Sequence, residues 1–437
     1  MSRPLPARRR ALGATGAACV VLLTAVPATA TAADGAAPAA RPGSLVLVGG
    51  ALKADNDEVY GEIIRRAGGE RARIGVLTAA SVPASQDPDA DDPDRCSNSE
   101  CNGAYYADLF ERHGAAAAEW IPIDLDHIAN ADDDEVVAQI ESVTGFFFGG
   151  GDQYRYVTTL LRGDAHTDSR ALAAIRRRLA QGAVVAGTSA GAQIAAGRDM
   201  VTGGESYQGL RDGSAPGYFE DPTRLGYLPE GGFGFLRSGL IDTHTGSYGR
   251  EGRVLRLAAD TGHDRVYALE ENTALIVDRP GTARETMTVA GTQGVAVFDL
   301  RAARARTSAD GWSLSRARYS YLTDGDRYHA ALWQPTPGPG KRRYTPTGTD
   351  PVPVNGDVFH SLDNPDGVAY SFRSTARALA GTRARNTATA TTFEKDPQFA
   401  AVLTKGSCFA AWSTDGSTPQ TLHVQHPLTL QPYCIER

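Results

Sequence analysis

Gly187-Thr188-Ser189-Ala190-Gly191 fits the pattern G-x-S-x-G, with the apolar run "AVVA" before it and the small-residue stretch "AQIAAG" after it. In that context the pattern raises a serine on a sharp strand-to-helix turn, and the glycines let the turn close and a substrate approach. The chemistry open to such a hydroxyl is acyl transfer, in which a carbonyl oxygen becomes negative. The amide of Ala190 would face that oxygen, and the dipole of the following helix favours the charge. A second donor is expected from "GGGDQ" (149–153), where Gly150 and Gly151 can turn backbone N–H groups toward a ligand.

A serine hydroxyl is inert until a base takes its proton. Among the nine histidines, His244 stands out because it ends the apolar run "GLIDTH" and precedes a glycine-containing loop. Its imidazole needs an acid to orient it. Glu270 and Glu271 interrupt "RVYALEENTALIVD" (265–278), which reads as one apolar strand. Alternation turns only one of two neighbours toward a given side, and a buried carboxylate needs a partner. Asp242, two residues before His244, competes with both glutamates. The residues alone leave this choice open.

These groups need a frame. Short apolar runs recur at 44–50, 72–80, 119–123, 144–151 and 183–187, with amphipathic stretches between them at 58–68, 105–114 and 169–182. Continuous apolar strands alternating with such helices predict an α/β fold, a parallel sheet covered on both faces. Asp168 can cap the last of these helices and Gly182 can end it. In such sheets ligands gather at the carboxyl ends of strands, where both glycine-rich loops emerge. Beyond residue 230 the pattern changes to short strands: 236–244, 265–278, 286–291 and 294–300. Residues 332–350, including "PTPGPGKRRYTPTGTD", read as a Pro/Gly-rich linker. Residues 351–437 form a C-terminal extension, either a small appendage or the last layer of the same domain.

Arg8-Arg9-Arg10, the apolar run Ala11–Val26 and small-residue sites such as Ala30-Thr31-Ala32 have the form of a signal peptide, residues 1–33. The run is too short to span a bilayer comfortably, so the expected location is extracellular. The formal charge is −7 for the whole chain, and −11 once the four arginines of that segment are removed. This disfavours nucleic acid and, after leader removal, membrane as partners. Cys19 leaves with the leader. Outside the cell the remaining four cysteines are expected to pair as Cys96–Cys101 and Cys408–Cys434. No histidine stands at zinc-ligand spacing around either pair, and no metal or cofactor is expected. The aspartate-rich stretch 86–95 could hold a cation but reads better as a solvated loop.

Taken together and in order, "FFFGGGDQ" (146–153), "GTSAGAQI" (187–194), "LIDTH" with "GREGR" (240–253) and "LEENTALIV" (269–277) resemble the cyanophycinase family of serine peptidases and the related aspartyl dipeptidases. The resemblance covers roughly residues 44–331, read as the catalytic domain. It implies the flavodoxin-like fold of class I glutamine amidotransferases, with serine in place of their cysteine, plus a β-rich extension. It also implies a Ser–His–Glu arrangement, carried onto Ser189, His244 and Glu271. Gly150, Gly151 and Ala190 would form the oxyanion hole. Gln153, Asp242, Thr243, Arg250 and Arg253 would bind substrate, the arginines through its carboxylates. The implied reaction is cleavage of cyanophycin, a polyaspartate with arginine on each β-carboxyl, to β-aspartyl-arginine dipeptides. Thr245 stands where the family usually has an aromatic, and Tyr248 where it has another arginine. The alternatives are a peptidase of this fold acting on other α- or β-aspartyl peptides, and a secreted binding protein without activity. A peptide or polymer is the expected partner, and a second copy of the chain the candidate oligomeric one.

Overall fold

The computed structural model describes residues 42–415 and the backbone of the strand Thr421–Pro432. The leader expected at 1–33 and Cys434 of the expected Cys408–Cys434 pair lie outside the described residues.

A nine-stranded sheet forms the centre. Its parallel part runs in the spatial order Ala117–Trp120, Arg73–Leu77, Gly145–Phe148, Val184–Thr188, Ser44–Val48. The first four of these follow the 2-1-3-4 order of flavodoxin-like sheets, and the strand that opens the domain fills the next place. Antiparallel strands then extend the sheet through Thr273–Asp278, Thr286–Gly291, Arg327–His329 and Gln334–Thr336. Side chains alternate between two apolar layers, as the two-residue strand period requires. Val46, Val48 and Phe147 pack under helices Asp57–Arg66 and Ser99–Arg112. Leu45, Leu47, Phe146 and Phe148 pack under Asp134–Ser142, Gln153–Leu160 and Arg170–Ala180.

Each of these helices starts where a side chain satisfies an orphan amide. Asn56 accepts from Val59, Asn98 from Cys101, Asp133 from Val136 and Asp152 from Tyr154. The helix Arg170–Ala180 is capped by Ser169, not by Asp168 as expected. Asp168 is instead paired with Arg176. The serine has the better position, since its hydroxyl reaches Leu172 N–H.

The second sheet has ten strands. Leu240–Asp242 and Arg265–Leu269 run parallel, joined by helix Glu251–Thr261. Antiparallel strands Gly294–Asp299 and Gly311–Thr323 follow. The C-terminal region completes this sheet: Thr421–Pro432 pairs with Gly311–Thr323, and Phe399–Thr404 and Thr387–Thr391 lie beyond it. Helix Ser371–Gly381 shares its apolar core with helix Glu251–Thr261. The described part of residues 351–437 thus adds strands to this sheet. The Pro/Gly-rich stretch 332–350 carries two short strands, Gln334–Thr336 and Arg342–Tyr344, one in each sheet.

The expected strand 265–278 is two strands. Arg265–Leu269 belongs to the second sheet and Thr273–Asp278 to the first. Glu270, Glu271 and Asn272 make the crossing between them, so strand alternation does not govern where the glutamates point. Asn272 takes a left-handed φ of 51° there, a conformation asparagine tolerates better than most residues.

The sulfurs of Cys96 and Cys101 are bonded, and Cys408 is exposed. In the aspartate-rich loop Asp87 accepts from Ser97, Asn98 and Asp89, and Asp89 pairs with Arg95. Among the described residues no group of three or more His, Cys, Asp or Glu is placed to hold a metal ion. Nor is any described helix long and apolar enough to cross a membrane.

Candidate functional site

Register brings three strand ends level. Phe148 and Leu47 flank Gly187, so Gly149–Gly151, Ser189 and Gly49–Gly50 emerge side by side at the carboxyl edge of the sheet. Ser189 is held at φ 54°, ψ −119°, sparsely populated for a residue with a side chain and a mark of stored strain. The close packing around it excludes side chains on both sides. A Cβ on Gly187 would lie 2.2 Å from Gly191 O, and one on Gly191 would lie 2.0 Å from Phe148 O.

The structure brings Ser189, His244 and Glu271 into one chain of hydrogen bonds. Ser189 Oγ is 2.7 Å from His244 Nε2, and His244 Nδ1 is 2.7 Å from Glu271 Oε1. With a carboxylate facing Nδ1, the proton sits on Nδ1 and leaves Nε2 as the acceptor for the serine hydroxyl. Burial lowers the pKa of His244 below its ordinary value, the Glu271 hydrogen bond opposes that, and Arg250 adds to it. The imidazole is therefore neutral and basic near pH 7.

His244 lies at the end of the Leu240–Asp242 strand, in the second sheet, with φ 55°. Its N–H donates to Gly49 O at 2.7 Å. Its ring fills the space beside Gly50, where a Cβ would fall 2.1 Å from Cε1. Gly50 itself has φ +110°. Gln193, buried one turn past Ser189, donates to Ile241 O at 2.8 Å and ties the two strand ends together. On the acid side Asn272 N–H donates to Gly50 O, and its side chain binds Lys53 N–H and Asn56. The segment 49–56 thus holds both the base and the acid.

Glu270 points elsewhere. It is buried, accepts from Tyr321 Oη at 2.6 Å and Gly294 N–H at 3.2 Å, and pairs with Arg373. Asp242 is likewise committed, to Arg253, through bonds of 2.8 and 2.7 Å. Only Glu271 faces the imidazole.

Of the expected oxyanion donors, Ala190 and Gly150 lie beside Ser189, and Gly151 packs on the neighbouring strand end. Ala190 opens the helix Ala190–Gln193, so its N–H has no acceptor within that helix. A Cβ on Gly150 would sit 3.4 Å from Ser189 Cβ. Gly151, at φ +132°, presses against Ala80 O, where a Cβ would fall 2.2 Å away.

The expected substrate residues divide. Arg253 is 4% exposed, and its guanidinium is occupied by Asp242 and by Gly204 O. In this structure Arg253 and Asp242 each satisfy the other, which is what a buried ion requires. Thr243 is buried, and its carbonyl accepts from Arg250. Gln153 donates its side-chain amide to Val201 O and Thr202 O, so it braces a strand. Arg250 is half-buried: its Nη1 donates to Thr243 O at 3.1 Å, and its Nε, itself buried, has no hydrogen-bond partner among the described residues. Burial and the neighbouring Arg253 bring its pKa down to about 10.

Thr245, where an aromatic was expected, is buried. Tyr248 is exposed, and its ring stacks on His244 at 4.9 Å with 8° between planes, with Arg250 4.8 Å from its centroid. Nothing in the residue pattern announces this stack. Gly49, Gly50 and Asn272 were visible within "SLVLVGG" and "LEENTALIV", but only the fold reveals what they hold.

The sequence profile of peptidase family S51 matches residues 103–283. The chain is 27% identical over 317 residues to the cyanophycinase of a Nostoc species, a match covering 70% of this chain and 91% of that one. It is 26% identical over 299 residues to the cyanophycinase of Synechococcus elongatus, covering 67% and 80%. Among solved structures, a peptidase from an acI-B1 Actinobacterium aligns with a TM-score of 0.42 at 19% identity, over 66% of this chain and 98% of that one.

Proposed function

We propose that the chain is a cyanophycinase-like peptidase of family S51, and that it is a serine-type enzyme using Ser189, His244 and Glu271. The observation that carries this reading is the pair of 2.7 Å hydrogen bonds joining the three on a serine of positive φ. His244 Nε2 takes the hydroxyl proton as Ser189 Oγ attacks the scissile carbonyl, while Glu271 stabilises the imidazolium. The N–H groups of Ala190 and of Gly150 or Gly151 receive the developing oxyanion. The imidazolium then protonates the leaving amine, and water releases the acyl group by the same steps in reverse.

For substrate we propose cyanophycin, cut to β-aspartyl-arginine dipeptides, with Arg250 holding a free carboxylate, which in this polymer belongs to an attached arginine or to the chain end. Support comes from the relatives named above and from the place of Arg250 beside Tyr248, whose ring stacks on His244. A second reading, cleavage of other aspartyl peptides, is favoured by two observations: Arg253 is occupied internally, and Tyr248 fills the place of an arginine. Incubating the protein with insoluble cyanophycin and with a panel of α- and β-aspartyl dipeptides separates the two by the products released. Release from the dipeptides alone selects the second reading. Release from neither, with no labelling by a serine-directed fluorophosphonate, leaves the binding-protein alternative. We also propose export through the leader at 1–33; its test is the N-terminal sequence of protein recovered from the medium.

A further inference from the structure

The C-terminal region reaches the site from behind. Helix Ser371–Gly381 carries Arg373, which is 8% exposed and lies outside the segment matched by the family profile. Arg373 Nη1 donates to Glu270 Oε2, to Tyr321 Oη at 2.7 Å and to Gln293 Oε1 at 2.8 Å. Its guanidinium also lies 4.2 Å from the ring centroid of Tyr370. Tyr370 in turn donates its N–H to Gly246 O at 2.6 Å, two residues past His244. A Cβ on Gly246 would meet the Tyr370 ring at 2.3 Å and Glu270 Oε1 at 2.6 Å. One buried cation therefore contacts the 270–272 crossing directly, through Glu270, and the loop after His244 by way of Tyr370.

We propose that Arg373 is a positioning residue for the Ser–His–Glu relay: it holds ionised Glu270 in the seam between the sheets, and so fixes the peptide from which Glu271 reaches His244. The physical basis is the cost of a buried carboxylate. Glu270 is 2% exposed, and burial pushes its pKa up. Without the cation it would take a proton or move toward water, and either response shifts the adjoining residue, Glu271. The inference rests on the proposed roles of Ser189, His244 and Glu271.

The test compares Arg373→Met, Arg373→Lys and the double variant Arg373→Met/Glu270→Gln in the full chain. Active enzyme is counted by fluorophosphonate labelling at Ser189, and hydrolysis of the substrate found for the wild type is measured per labelled site. Arg373→Met is expected to lower kcat about ten- to hundredfold with little change in KM, because misplacement by a fraction of an ångström acts on the chemical step. Arg373→Lys should recover part of this, since charge is restored without the planar fork. The double variant should recover most of it, because the neutral amide keeps hydrogen-bond capacity and leaves no unpaired charge. If Arg373→Met does not fold, the other two variants carry the comparison. A folded Arg373→Met with wild-type kcat overturns the proposal, as does a double variant no better than the single one. A wild-type protein that takes no label at Ser189 overturns the reading of the site, and this proposal with it.

Discussion

Ser189 and Glu271 stand at the two ends of one hydrogen-bonded chain, yet the backbone beneath each is held differently. The turn at Ser189 is fixed by its neighbours: strand Val184–Thr188 before it, a helical turn after it, and Gly187 packed onto Gly191. The crossing at Glu271 has no such local support. Asn272 leans on Gly50, more than two hundred residues earlier, and Glu270 on Arg373, about a hundred later. Short-range packing therefore shapes most of the nucleophile's turn, with Val48 O and Phe148 O as its distant supports, while the base and acid that serve it rest chiefly on long-range packing. Damage at the first should remove the reaction outright. Damage at the second should leave an intact but poorly activated serine.

The largest effect is expected at the locally built end. Ser189→Ala should lower kcat by at least about a thousandfold, with thermal unfolding within a few degrees of wild type. A variant retaining near-wild-type hydrolysis breaks the comparison at its root. His244→Ala should lose nearly as much, for want of the base. Glu271→Gln should lose roughly a hundred- to ten-thousandfold, since orientation and imidazolium stabilisation fail while the serine stays in place. If Glu270→Gln were as damaging and Glu271→Gln silent, the assignment of the two carboxylates would be reversed.

A smaller loss, about a hundredfold, is expected from Gly50→Ala, which drives a methyl into the imidazole at a backbone angle that disfavours side chains. Gly50→Ala with normal kcat would show that the base does not depend on the 49–56 segment.

The two arginines sharpen the contrast further. Arg253→Ala leaves Asp242 buried without its partner, which should cost about 3–5 kcal/mol of stability. Arg250→Ala should barely change the melting temperature, but should reduce kcat/KM for carboxylate-bearing substrates about ten- to hundredfold. Equal melting temperatures for the two variants would contradict this division.

The smallest effect is on pH dependence. Because His244 titrates below its ordinary 6.5, kcat/KM should rise with pH about a midpoint below that value. The hydrogen bond to Glu271 raises the imidazole pKa, so in Glu271→Gln the midpoint should fall further. The same shift links to stability. The neutral ring is favoured in the folded state, so this contribution is present above pH 6.5 and lost as pH falls through the folded pKa. A midpoint above 6.5 in the wild type would contradict the buried, neutral imidazole.

The parallel strands and the serine turn were legible because their signals are local: apolar runs of strand length, and glycines at fixed offsets around Ser189. His244 was found through its place at a run's end. Glu271 was separated from Glu270 only by resemblance, and the alternation argument rested on a strand that is two strands. Leu269 and Thr273 look continuous in sequence, since nothing in an apolar pattern says that a chain changes sheets between them. The internal pairing of Arg253 was hidden for a similar reason. An arginine shortly after the histidine carries no mark of whether Asp242, eleven residues back, has already claimed it. Arg373 and Tyr370 lie in a stretch whose relation to the site is purely tertiary.

The central claim is that Ser189 is a nucleophile activated by His244. Its most direct measurement is the rate and position of fluorophosphonate labelling, read by peptide mass spectrometry, for the wild type, Ser189→Ala and His244→Ala. The account predicts a single adduct on Ser189, none in Ser189→Ala, and labelling slowed at least about a hundredfold in His244→Ala. An adduct on another residue, or equal rates with and without His244, would contradict it.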